Sequence, residues 1–82
     1  MPIQRQEMGV SGYAFAVTPS DSSNFASSSR YLYVGTGGDL NVTTFNGQDV
    51  LLVGVPGGSQ IFIAADRVNS TNTTASNIVA FV

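Results

Sequence analysis

Arg30-Tyr31-Leu32-Tyr33-Val34, then Gly35-Thr36-Gly37-Gly38-Asp39, then Leu40-Asn41-Val42-Thr43-Thr44 is the stretch that decides the fold. Its first five residues are rich in aromatic and β-branched types, which suit a pleated, half-buried surface. Alternation puts Leu32 and Val34 on one side and Tyr31 and Tyr33 on the other. The last five residues alternate in the same way, with Leu40 and Val42 inward. Between the two runs stand five residues with three glycines, a pattern that reads as a hairpin with a bulged loop.

The same grammar extends in both directions. Upstream, Tyr13 to Thr18 is a short strand with Tyr13, Phe15 and Val17 on one face, stopped by Pro19-Ser20-Asp21. Ser22 to Ser29 is a Ser-rich loop that Phe25 plugs onto the core. Downstream, Asn46-Gly47 signals a tight turn, because both residues tolerate positive φ. Val50-Leu51-Leu52-Val53 is a continuous apolar run, read as a strand buried on both faces or at an interface. Val55-Pro56-Gly57-Gly58 turns the chain, and Ile61 to Ala65 is a strand running toward Arg67-Val68. Asn69 to Ser76 is a polar loop, and Asn77 to Val82 is the last strand.

No segment carries a helical period. About six short antiparallel strands therefore predict an all-β fold, a small β-sandwich or barrel, over residues 13–82. Residues 1–12 have two glycines and no clear period, and read as an extended N-terminal arm that lies on a neighbour in an assembly. The apolar end, Phe81-Val82, points to a strand pinned in the sheet or at an interface.

Composition narrows the function. The chain has 82 residues, no His, no Cys, no Lys and no Trp, and only 10% of it is charged, against about a quarter in an ordinary soluble domain. A domain this small draws little stability from its core and usually adds disulfides, a metal or self-association. Without Cys there is no disulfide, and without His or Cys a structural zinc is not expected. Self-association is the remaining route. Polarity comes mostly from Ser, Thr and Asn, which hydrogen bonds can satisfy inside an interface without burying a charge. A net charge of −2 with three Arg offers no track for nucleic acid. No apolar run approaches the roughly 20 residues of a membrane span.

Catalysis finds no purchase. Ser20 and Ser27-Ser28-Ser29 have hydroxyls but no His or Lys to activate them. Gly35-Thr36-Gly37-Gly38 lacks the spacing, the helix and the Lys of a phosphate loop. Asp21, Asp39 and Asp49 sit at turns, where Asp accepts backbone N–H bonds. The expectation is a protein with no enzyme activity, no cofactor and no metal site. The interface candidates are Tyr31 and Tyr33, Arg30 and Arg67 flanking strands, and the terminal Phe81 and Val82. Either Arg is a candidate to cross a subunit contact to a carboxylate. Tyr31 and Tyr33 also suit a carbohydrate-binding module.

Five segments in order carry a resemblance: Thr18-Pro19-Ser20-Asp21, Arg30-Tyr31-Leu32-Tyr33-Val34-Gly35, Gly38-Asp39-Leu40-Asn41-Val42, Val55-Pro56-Gly57-Gly58 and Thr73 to Phe81. Their order and spacing resemble the spike base proteins of tailed phages and gene transfer agents, over roughly residues 15–82. The family's turn usually reads Val-Pro-Ala-Gly where this chain has Val55-Pro56-Gly57-Gly58, and its next strand commonly ends Arg-Val, as at Arg67-Val68. The resemblance implies a non-enzymatic virion protein on the capsid exterior. It implies a homo-oligomer, trimer or pentamer, that binds the major capsid protein and bears a spike or fibre protein. A cement protein bridging capsid subunits is the alternative within that class.

Overall fold

The computed structural model describes residues 12–82, and within them every regular element is a strand. There are seven: β1 (Ala14–Ala16), β2 (Tyr31–Thr36), β3 (Gly38–Thr44), β4 (Asp49–Val55), β5 (Ser59–Ile61), β6 (Ala65–Val68) and β7 (Ser76–Phe81). They form two antiparallel sheets, one ordered β1-β7-β2-β5 and the other β4-β3-β6. The fold is the expected small β-sandwich. Of the expected N-terminal arm, residues 1–11 lie outside the described residues.

Alternation builds the core. Leu32 and Val34 of β2 with Ile78 and Ala80 of β7 line one sheet, and Leu40, Val42, Val55, Ala65 and Val68 line the other, all buried. Burying each Leu or Val side chain contributes about 1.5–3 kcal/mol. Phe25 packs against this core, as its place in the Ser-rich loop predicts, and meets Phe15 edge-on with ring centroids 5.1 Å apart.

The three-glycine segment is not a hairpin. β2 and β3 lie in different sheets, and Gly37 alone separates them. The chain turns a corner from one layer to the other because the backbones there cross in contact. A Cβ on Gly37 would sit 2.6 Å from the Val55 carbonyl oxygen and 2.8 Å from the Gly57 nitrogen. Gly37→Ala is therefore expected to destabilise the domain by about 1–3 kcal/mol, the usual cost of overpacking. Urea denaturation checks this, and an unchanged midpoint would refute the crossing.

Three further expectations change. Ile61 to Val68 is not one strand: β5 belongs to the first sheet and β6 to the second, and Phe62-Ile63-Ala64 carries the chain between the layers. Seven strands thus replace six. Val50 to Val53 is not buried on both faces, because β4 is an edge strand. Val50 and Leu52 pack on the core, while Leu51 and Val53 are 46% and 73% exposed. The Asn46-Gly47 turn is present, but only Gly47 takes positive φ, at 84°. Its N–H donates to the Thr44 carbonyl at 2.9 Å, and the Thr44 N–H donates to Gln48 at 2.8 Å. This is the three-residue loop with a left-handed last position that joins many β-hairpins.

The sandwich has two unlike rims. At one, the turn through Pro56-Gly57-Gly58 links β4 to β5, so both sheets end there together. At the other, the segment after β1 runs along β6. The N–H groups of Ser20, Phe25 and Ser29 donate to the carbonyls of Val68, Asp66 and Ala65 at 2.7–2.9 Å. That segment covers the edge of β6. β7 lies between β1 and β2, so the end of the chain is pinned inside a sheet, as Phe81-Val82 suggests.

Candidate assembly interface

The outward side of the first sheet is aromatic. Sending Leu32 and Val34 inward forces Tyr31 and Tyr33 outward, and sending Ile78 and Ala80 inward does the same for Val79 and Phe81. Register then sets Tyr31 opposite Phe81 and Tyr33 opposite Val79. The rings of Tyr31 and Phe81 stack with centroids 4.6 Å apart and planes 12° from parallel. Phe62, in the crossing between layers, leans on the other side of Tyr31 at 5.5 Å. Ala14 and Ala16 of β1 flank Phe81 and Val79 in register, and their small side chains leave the aromatic groups proud of the sheet.

Phe62 is 77% exposed and Tyr33 38%. Contiguous apolar surface of this kind marks a site of interaction rather than ordinary surface. The low charge of the sequence is thus concentrated here: the patch of Ala14, Ala16, Tyr31, Tyr33, Phe62, Val79 and Phe81 contains no ionisable group other than the two tyrosine hydroxyls. Arg30 stands exposed at its border, its backbone N–H donating to the Phe81 carbonyl at 2.6 Å, and Val82 closes the same end by donating to the Tyr13 carbonyl at 3.0 Å.

The second sheet presents the opposite character. The Thr43 hydroxyl donates to Asp49 Oδ1 at 2.6 Å and accepts from Asn69 Nδ2 at 3.0 Å. Arg67 Nε donates to Asn69 Oδ1 at 2.8 Å, and its Nη1 donates to Asn24 Oδ1 at 2.9 Å. Thr43 and Asn69 are buried, and this chain satisfies them. Arg67 therefore lies on β6, in the other layer from Tyr31, Tyr33 and Phe81, and is held by two asparagines within the chain. Of the six candidates, the structure gathers Tyr31, Tyr33 and Phe81 on one face with Arg30 and Val82 at its end, and places Arg67 apart. Sequence reasoning missed Phe62, because the strand assumed to hold it is broken there. It also missed Leu51 and Val53 as surface residues, because an apolar run does not announce that its strand is an edge.

The described carboxylates are committed to the fold. Asp66 accepts from the Ser28 hydroxyl, and Asp39 Oδ1 accepts the Gly54 N–H at 3.0 Å. Asp21 accepts the Thr71 N–H at 3.0 Å and the Thr71 hydroxyl at 2.6 Å. No group of three potential metal ligands occurs among the described residues. The bonds from the Thr71 side chain and backbone, helped by Ser70, hold the Asp21 carboxyl below its ordinary value. Because the folded pKa is lowered, the tether contributes above the ordinary carboxylate range and is lost as pH falls through the lowered folded value. Thermal unfolding at a series of pH values should show the gap between the native protein and Asp21→Asn closing as the solution becomes acid. A gap that stays constant would mean that the carboxylate charge plays no part.

No protein-family model matches the chain, and no curated protein does. Among solved structures, it is similar to a chain of the capsid of the native GTA (gene transfer agent) particle, computed with C5 symmetry. The two are 33% identical, with a TM-score of 0.78, and the match covers 88% of this chain and 83% of the other.

Proposed function

Because the chain belongs to the family of that gene transfer agent capsid component and is a capsid-associated structural protein, we propose a finer role: it forms a symmetric oligomer on the capsid exterior and serves there as the base of a spike or fibre. The observation that carries this reading is the uncharged aromatic face of the first sheet. A surface of that kind is stable in water only when another surface covers it, and the Ser, Thr and Asn content elsewhere lets neighbouring contacts close without burying charge. Mechanism is then geometric. The flat face seats on the major capsid protein or on a symmetry mate, with Tyr31, Tyr33 and Phe81 as anchors and Arg30 at the rim. A closed ring, trimer or pentamer, suits a symmetric capsid position. The role is structural and calls for no catalytic step and no cofactor.

Imaging of intact particles that contain the protein tests the reading. Density for the sandwich is expected outside the head, around a symmetry axis, with a spike or fibre above it. Density bridging capsid subunits without a spike would make it a cement protein instead, and density inside the head would overturn the exterior role.

A further inference from the structure

We propose that the open edge of β4 receives an added strand supplied by residues 1–11 of a neighbouring copy, so that copies join head to tail. The inference rests on the reading that copies of the chain assemble together. β4 is seven residues long and pairs only with β3, so its other side offers unpaired backbone N–H and carbonyl groups. Such an edge is a template for strand addition, and proteins usually block it with Lys, Pro or a cover. Here the strand Asp49-Val50-Leu51-Leu52-Val53-Gly54-Val55 has no Lys or Pro, and its exposed side carries Leu51 and Val53. The remaining sheet edges differ. β1 and β5 are three residues long, and the segment after β1 covers β6.

Length and position select the occupant. Residues 1–11 join the sandwich ahead of β1, at the rim opposite β4. Matching all seven residues of β4 leaves four of the eleven, which reach at most about 14 Å. To find β4 of its own molecule the segment must cross three strand spacings and the gap between the layers, about 24 Å. A neighbour whose β4 rim abuts the β1 rim is within reach. Charge agrees: β4 has a single charge, Asp49, and residues 1–11 supply Arg5. Ile3, Met8 and Val10 supply apolar side chains for Leu51 and Val53, and Pro2 stands ahead of Ile3–Val10, clear of the pairing span. A contact between two different rims is heterologous, and a heterologous contact closes into a ring when its rotation divides the circle.

The absence of cysteine makes the test direct. Full-length single variants Gln4→Cys and Gln6→Cys are each mixed with Leu51→Cys or Val53→Cys, assembled, oxidised and read by mass. Disulfide-linked pairs between the two variants are expected from at least one combination. Dominant self-linking of Leu51→Cys or Val53→Cys would overturn the proposal in favour of a twofold β4–β4 pair. Linking found only inside one chain of a double variant would show that the segment covers its own edge, and no linking in any combination would also refute it. Imaging keeps the two readings distinguishable. A ring seen on the particle without these cross-links would sink strand addition alone, whereas cross-links in a protein found inside the head would sink the exterior role alone.

Discussion

Leu32→Ala is expected to leave the protein at the edge of unfolding at room temperature. Leu32 is fully buried at the centre of the first sheet, where β2 pairs with β5 and β7. Cutting a buried Leu to Ala removes its transfer energy and leaves a cavity, together about 2–5 kcal/mol. At about 0.05–0.15 kcal/mol per residue the whole domain is worth only about 4–12 kcal/mol. The melting temperature should fall by about 10 °C or more, since each kcal/mol moves a domain of this size by roughly 4–8 °C. Leu51→Ala, on the exposed side of β4, should cost under about 1 kcal/mol. Calorimetry of the two side by side decides the matter, and equal losses would mean that the assigned inner and outer faces are wrong.

Tyr33→Asp is expected to do the reverse, keeping the fold and abolishing assembly. Tyr33 lies mid-strand on the aromatic face, and its side chain is not part of the core. Asp is a poor strand residue, so a loss of up to about 1 kcal/mol in stability is anticipated. At an interface the change removes an aromatic anchor and buries an unpaired charge. Tyr anchors alone are commonly worth about 2 kcal/mol or more, and the charge adds to that. Incorporation into particles should drop by at least about a hundredfold, since each 1.4 kcal/mol is tenfold. Asn46→Asp adds the same charge at the exposed hairpin tip and should assemble normally. Quantifying each variant in purified particles gives the answer. Normal incorporation of Tyr33→Asp would remove the aromatic face from the assembly model.

The sequence patterns that proved readable are those whose cause is local. Leu32, Val34, Leu40 and Val42 are all fully buried, because a period of two belongs to each strand separately. Gly47 takes the left-handed position that an Asn-Gly pair advertises. What failed depends on distant partners. The glycines after Val34 declare that the chain bends, but whether it bends within a sheet or between sheets is decided by Val55 and Gly57, about twenty residues on. The run Val50–Val53 declares apolarity, but whether β4 is central or at an edge depends on what pairs with it. The interface was legible in part for the same reason. Tyr31 and Tyr33 share a face by alternation alone, while Phe81 joins them only through register and Phe62 only through a break in the chain. Arg67 illustrates the converse. Its position beside a strand says nothing of the two asparagines, Asn24 and Asn69, that the fold brings to its guanidinium.

The position of β7 bears on how the protein is made. Residues 76–81 form the strand that joins β1 to β2, so the first sheet cannot close until those residues have left the ribosome. A nascent or prematurely terminated chain lacks the backbone to hold Tyr31 and Tyr33 in one plane, and so has no docking face to offer. Synthesis therefore acts as a checkpoint: only finished molecules are competent to join a particle, and fragments are left to proteolysis. Sheets closed by sequence-distant strands also form slowly, over milliseconds to seconds, which leaves newly released copies time to separate before they become adhesive.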